Sequence, residues 1–162
     1  MAAKKIAFLM KRPFKILCTA VALLALFSFT ATEWQPDLET AKKVAAEKHR
    51  IILLNFSGSD WCGPCMRMRK EIFDSKVFSD MADNSLVMLN ADFPRNKKNQ
   101  LPKDKQKGND QLADKYNPEG KFPFTVLIDA NGKVIRSWDG LPDADSTAFT
   151  SIVKKIAEDA SK

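Results

Sequence analysis

The sequence predicts an α/β protein in which one mixed sheet of four or five strands carries helices on both faces. Three observations lead there. Short apolar runs at 51–56 and 86–92 alternate with stretches of helical periodicity, the pattern of strands joined by crossover helices and therefore parallel. Two later runs, 122–128 and 133–138, are separated only by Asp129-Ala130-Asn131-Gly132, a turn sequence that folds two strands back as an antiparallel hairpin. Between the first run and the helix after it stand Cys62 and Cys65, a Cys-x-x-Cys pair placed where reversible dithiol–disulfide chemistry needs it.

Taken in order, Asp37 is a helix N-cap, with Leu38, Ala41, Val44 and Ala45 at helical spacing up to about His49. The run Ile51 to Phe56 is a buried central strand, followed by a loop from Ser57 to Trp61. A helix starts near Cys62 or Gly63, where Pro64 loses nothing by lacking an N–H. It extends to about Phe73, with an interruption at Asp74-Ser75 before a second helical stretch through Val77, Phe78 and Met81. After the strand 86–92 comes a basic stretch, 94–109, holding Arg95, Lys97, Lys98, Lys103, Lys105 and Lys107 against the single Asp104. It reads as a solvated loop or as a docking surface for an acidic partner. A short helix over 110–116 ends at Asn117-Pro118, and Phe149, Ile152, Val153 and Ile156 mark a final amphipathic helix.

The 162 residues hold one domain and a short extension. Five of the 26 Lys and Arg residues, and none of the 20 Asp and Glu residues, fall in 1–31, so the remainder balances to within one charge. A nearly neutral domain gives no case for nucleic-acid binding. The basic start, ending near Lys15, leads into an apolar run from Ile16 to Phe29, which is the build of a signal peptide. The expected division is therefore a signal peptide at 1–31, a linker at 32–36 and a domain at 37–162. An uncleaved anchor is the alternative, since 14–31 is nearly long enough to span. Either way the protein is expected to be periplasmic or secreted. Cys18 then lies in the targeting segment, and the exported domain keeps only Cys62 and Cys65.

The Trp61-Cys62-Gly63-Pro64-Cys65 motif, the later Phe122-Pro123-Phe124 and the order of elements resemble the thioredoxin fold family from Asp37 to the C-terminus. Asp60-Trp61-Cys62, Lys70-Glu71-Ile72-Phe73 and Val77-Phe78-Ser79 look most like its exported thiol:disulfide interchange domains, such as the C-terminal domain of the periplasmic reductant transporter. The resemblance implies that Pro123 is a cis-proline beside the active-site disulfide and that Phe122 offers backbone hydrogen bonds to substrate. It also places Asn55 where many thioredoxins carry a buried aspartate, with Glu71 or a water as the substitute proton acceptor. Lys70 stands where a helix-kinking proline is common, so the helix is expected to be straighter or to end earlier.

Cys62, at a helix N-terminus, is the expected nucleophile, because unpaired N–H groups favour its thiolate. Cys65, one turn on, is expected to resolve the mixed disulfide. Gly63 and Pro64 keep the loop short, and Trp61 shields Cys62. A structural disulfide is strained at this spacing, and a zinc site wants four ligands where the exported chain offers two Cys and one His. Copper(I) binding by Cys62 and Cys65 with Met66, Met68 and His49 is a different function open to the same sulfurs, although helical methionines are more often core filler and His49 is best read as a surface residue or cap. An adhesion or assembly protein with vestigial cysteines is a third reading.

The expected activity is that of an exported protein-disulfide reductase, since Gly-Pro between the cysteines resembles the reducing members of the family. A disulfide oxidase or isomerase is the alternative. No nicotinamide or flavin site is visible, no metal is assigned, and the Cys62–Cys65 disulfide is itself the redox group. Exported proteins with disulfides are the expected substrates of a monomeric domain, and a membrane protein is the expected electron donor.

Overall fold

The computed structural model describes residues 33–160. The predicted signal segment, 1–31, lies outside them. Five strands form one sheet in the order β1-β3-β2-β4-β5: β1 (Trp34–Gln35), β2 (Ile51–Ser57), β3 (Leu86–Asp92), β4 (Phe124–Ile128) and β5 (Val134–Asp139). β1 and β2 run parallel to β3, while β4 is antiparallel to both β2 and β5. The mixed sheet, the parallel early strands and the closing hairpin are as the alternation of runs predicts.

The two faces of the sheet can be read from residue parity. All seven residues of β2 are buried, because helices cover both sides of the sheet and leave neither face to solvent. Ile51 and Leu53 point into a core with Met68, Ile72, Phe73, Phe78 and Phe149. Ile52, Leu54 and Phe56 point the other way, toward Ala41, Ala45, Leu112 and Tyr116. The first core is therefore covered by α2 (Gly63–Met68), α3 (Lys76–Ser85) and α5 (Ser146–Ala160), and the second by α1 (Leu38–Lys48) and α4 (Lys103–Tyr116).

Helix ends follow local chemistry. Asp37 caps α1 by accepting the Thr40 N–H at 2.8 Å, and this backbone hydrogen bond holds its carboxyl below the ordinary aspartate value. His49 closes the same helix in the left-handed conformation at φ 52°, with its N–H turned back to the carbonyls of Ala45 and Ala46. Ser75 caps α3 through the Phe78 N–H, which accounts for the break expected at Asp74-Ser75.

Two expectations are corrected and a third is sharpened. The linker at 32–36 contains β1, which is too short to announce itself and takes its geometry from β3 through the pairs Trp34–Met88 and Gln35–Leu89. The basic stretch 94–109 is not a loop throughout. A 3₁₀ turn spans Lys97–Asn99, and α4 begins at Lys103, seven residues before the predicted start. Its first two turns are polar almost all round, so no apolar periodicity marks them. Finally, the α-helix bearing the cysteines ends at Met68 and passes into a π-helical turn, Arg69–Phe73, closed by the Asp74 N–H on the Arg69 carbonyl at 2.9 Å. The helix thus ends earlier, one of the two outcomes expected with Lys70 in place of proline.

Candidate active site

The site forms where β2 ends and α2 begins. Ser57 closes β2, the chain turns through Gly58 to Trp61, and Cys62 becomes the N-cap of α2 with extended backbone. Pro64 falls in the first turn, where its missing N–H leaves no carbonyl unpaired. Cys62 and Cys65 are joined in a disulfide, with Cα atoms 5.2 Å apart. The Cys65 N–H donates to Cys62 Sγ at 3.2 Å, so the fold aims a backbone donor at that sulfur. Both cysteines are only 5% exposed, which restricts attack to a narrow approach.

That approach is framed by aromatic rings. The Trp61 indole N–H donates to the Phe93 carbonyl at 2.7 Å, and its ring meets Phe122 edge-on at 5.4 Å between centroids. Phe93 packs against Phe122 in the same manner at 5.6 Å. The Phe122–Pro123 peptide bond is cis, as the resemblance implies. Trp61 can sit so low only because residue 58 is glycine: a Cβ there would come within 2.2 Å of the indole. Alanine at position 58 is therefore expected to cost about 1–3 kcal/mol by forcing the indole out. Gly63→Ala adds a methyl that meets nothing within 4 Å and is expected to leave stability nearly unchanged. Chemical denaturation of the two variants checks the contrast.

Two carboxylates hold the loops in place, and no local pattern in the sequence points to either role. Asp60 accepts the backbone N–H groups of Arg95 and Asn96, at 2.9 and 3.0 Å, and the Asn99 side-chain amide at 2.9 Å. The Arg95 N–H is the main reason its carboxyl lies below the ordinary aspartate value. Asp92 accepts from the Ser57 hydroxyl at 3.0 Å and from the Ser59 N–H at 2.8 Å and hydroxyl at 2.5 Å. Both sets of contacts join residues more than thirty positions apart. Spacing along the chain carries no trace of them.

Asn55 lies behind the disulfide, 6% exposed, at the centre of a neutral ladder across three strands. Its amide donates to Asn90 Oδ1 at 2.9 Å, and its own Oδ1 accepts the Thr125 hydroxyl at 3.3 Å. Asn90 and Thr125 are its partners in the β2–β3 and β2–β4 registers. Asn55, Ser57 and Asn90 line a cavity of about 210 Å³ together with Cys65, Met66, Arg69 and Lys70. Glu71, considered from sequence as the substitute proton acceptor, is instead exposed and paired with Arg67 at 3.4 Å.

Of the soft donors considered for copper, Met66 lines the same cavity as Cys65, whereas Met68 and His49 are placed elsewhere. Met68 is buried, with its sulfur 3.8 Å from the Thr125 hydroxyl oxygen. His49 sits before the start of β2, at the opposite end of that strand from the cysteines. Among the described residues, no group of three or more His, Cys, Asp or Glu side chains is clustered to hold a metal ion.

A disulfide across one helical turn, at the head of a helix, in a sheet of this order whose fourth strand follows a cis-proline, defines a thiol–disulfide oxidoreductase of thioredoxin fold. Comparison with known proteins agrees. The thioredoxin-like family model matches residues 33–130. A disulfide bond reductase, DsbH of Chlamydia pneumoniae, is 35% identical over 122 residues, covering 75% of this chain and 70% of the relative. A solved DsbH oxidoreductase superposes with a TM-score of 0.72 at 31% identity, over 80% of this chain and 86% of that one. A Thermus thermophilus thioredoxin shares the fold, with a TM-score of 0.60 at 14% identity over 81% and 91% of the two chains. The chain belongs to the thioredoxin-like family and is a thiol–disulfide oxidoreductase of Dsb type.

Proposed function

We propose that the domain is exported and that it reduces protein disulfides, with Cys62 as nucleophile and Cys65 as resolving thiol. The observation that carries this reading is the Cys65 N–H directed at Cys62 Sγ. A donor fixed on one sulfur favours its thiolate, and Cys62 lies at the open N-terminal end of the helix. In the reduced protein the Cys62 thiolate attacks a substrate disulfide. One substrate sulfur bonds to Cys62 and the other leaves as a thiolate. Cys65, as thiolate, then attacks Cys62 Sγ, forms the intramolecular disulfide and releases the second substrate thiolate. Two electrons pass to the substrate, and the two protons lost by the cysteines end on its thiols.

Trp61 and Phe122 wall the approach, Pro123 shapes the edge against which an extended substrate lies, and Gly63 and Pro64 hold the two sulfurs one turn apart. Asn55 backs Cys65 with an amide that cannot take a proton, so Cys65 gives its proton to water. Reduction rather than oxidation is supported by Gly63-Pro64 between the cysteines and by the name of the Chlamydia relative, a disulfide bond reductase. Export is supported by the basic-then-apolar start of the chain. Among the described residues, no helix is long and apolar enough to cross a membrane. Catalytic turnover in an oxidising compartment requires a dithiol donor, and a membrane protein carrying electrons from cytoplasmic thiols fits that need.

Equilibration of the full chain with glutathione tests the direction. A reductase is expected to show a potential more negative than about −180 mV, and to reduce insulin when supplied with a dithiol. A potential near about −120 mV would turn the reading to an oxidase.

A further inference from the structure

The proposed reductase site has a basic rim with no carboxylate paired to it among the described residues. The segment after β3 is locked to the active-site loop: Asp60, two residues before Cys62, accepts from Arg95, Asn96 and Asn99. Trp61 adds the fourth tie through the Phe93 carbonyl. This leaves the Arg95 guanidinium stacked over the Trp61 ring at 3.6 Å from its centroid, with Lys97 and Lys98 exposed on the next turn. None of these three cations forms an ion pair with a described residue.

The surrounding charges leave the rim positive on its outer side. Across the disulfide, Arg67 and Arg69 are neutralised by Glu71 and Asp74, while Lys70 is exposed and has no such partner among the described residues. The nearby carboxylates, Asp60 and Asp92, are half-buried and keep their charges, each accepting three hydrogen bonds from neutral groups of the loops they hold, so two anions stand against the four cations Arg95, Lys97, Lys98 and Lys70. Arg95 lies on Trp61, the residue before Cys62, and Lys97 and Lys98 follow it on an exposed turn, so the rim carries net positive charge. A guanidinium lying flat on an indole keeps the N–H groups at its edge for a carboxylate in the same plane.

We propose that Arg95, Lys97 and Lys98, held against Trp61, select substrate disulfides that are flanked by acidic residues. The proposal rests on the reading of Cys62 and Cys65 as a reductant of protein disulfides. Charge complementarity at the rim acts on the encounter, so it raises the rate of mixed-disulfide formation and is screened by salt.

The test uses the reduced full chain and three peptides of equal length, each closed by one disulfide flanked by Glu, Gln or Lys. At low salt the Glu peptide is expected to be reduced about tenfold faster than the Lys peptide, with the ratio falling toward one at about 0.5 M salt. The order is expected to invert in the triple variant R95E/K97E/K98E. In K97E/K98E, which leaves the stack on Trp61 in place, the preference is expected to shrink to under about threefold. Equal rates for Glu and Lys peptides, with the Gln peptide reduced normally, would overturn the rim proposal and leave the reductase reading standing. A Glu preference that survives in both variants would also overturn it. Failure to reduce any of the three peptides would remove the reductase reading, and the rim proposal with it.

Discussion

Serine at position 62 is expected to abolish disulfide exchange, by at least about a thousandfold, whereas alanine at position 65 leaves the first step intact and stops the second. The two sulfurs differ in what surrounds them. Cys62 precedes the first turn of α2 and receives the Cys65 N–H, while Cys65 lies inside the turn with the Asn55 cavity at its back. An oxygen at position 62 has too high a pKa to act as the attacking anion near neutrality. A Cys65→Ala protein can still attack but has no partner to free it, so substrate proteins should remain bound to Cys62. Intact-mass spectrometry of the trapped species, released by dithiothreitol, checks this and names the substrates. Full exchange by the Cys62→Ser protein would assign the attack to Cys65 instead.

The second large effect is expected from Asn55→Asp. It places a carboxyl where the side chain is 6% exposed and where Asn90 and Thr125 meet a neutral amide. Desolvation disfavours the charged form and raises the folded pKa above the unfolded value of about 3.9. Below that value both states hold the proton, and the variant differs from the parent by little more than an amide. As the pH rises the unfolded chain ionises first, so stability falls until the folded pKa is passed and then levels off. The loss at neutral pH is expected on the order of 2–4 kcal/mol, since each tenfold gain in proton affinity on folding costs about 1.4 kcal/mol once the group must ionise. Denaturation midpoints of variant and parent compared from acid to neutral pH measure it. Parallel midpoints at every pH would mean that water reaches the site and solvates the charge.

What could be read from the chain, and what could not, follows from the range of the interactions. Asp37, the run 51–56 and the cysteine pair were legible because a cap, a buried strand and a Cys-x-x-Cys spacing are written in consecutive residues. Fold and family followed from the order of such segments. The start of α4 was not legible, since its buried residues begin only at Asn109 and the turns before it face solvent. β1 is two residues long and exists through pairing with β3. The π-helical turn ends with the consecutive residues Ile72 and Phe73 both buried in the core that holds Met68, which a pattern counted at 3.6 residues does not anticipate. At the site, Asn55 was identified by its position in the family. The roles of Asp60 and Asp92 come from contacts across more than thirty residues, and only the fold brings them together.

The direction of β1 bears on how the domain meets its surroundings. A strand parallel to β3 is fed into the sheet from the Leu86 end, whereas β2 and β3 finish at Ser57 and Asp92, beside the cysteines. The polypeptide therefore enters the sheet at the pole opposite the disulfide. A surface holding the domain from that pole would leave Cys62, the aromatic walls and the basic rim facing outward, open to partners arriving from solution.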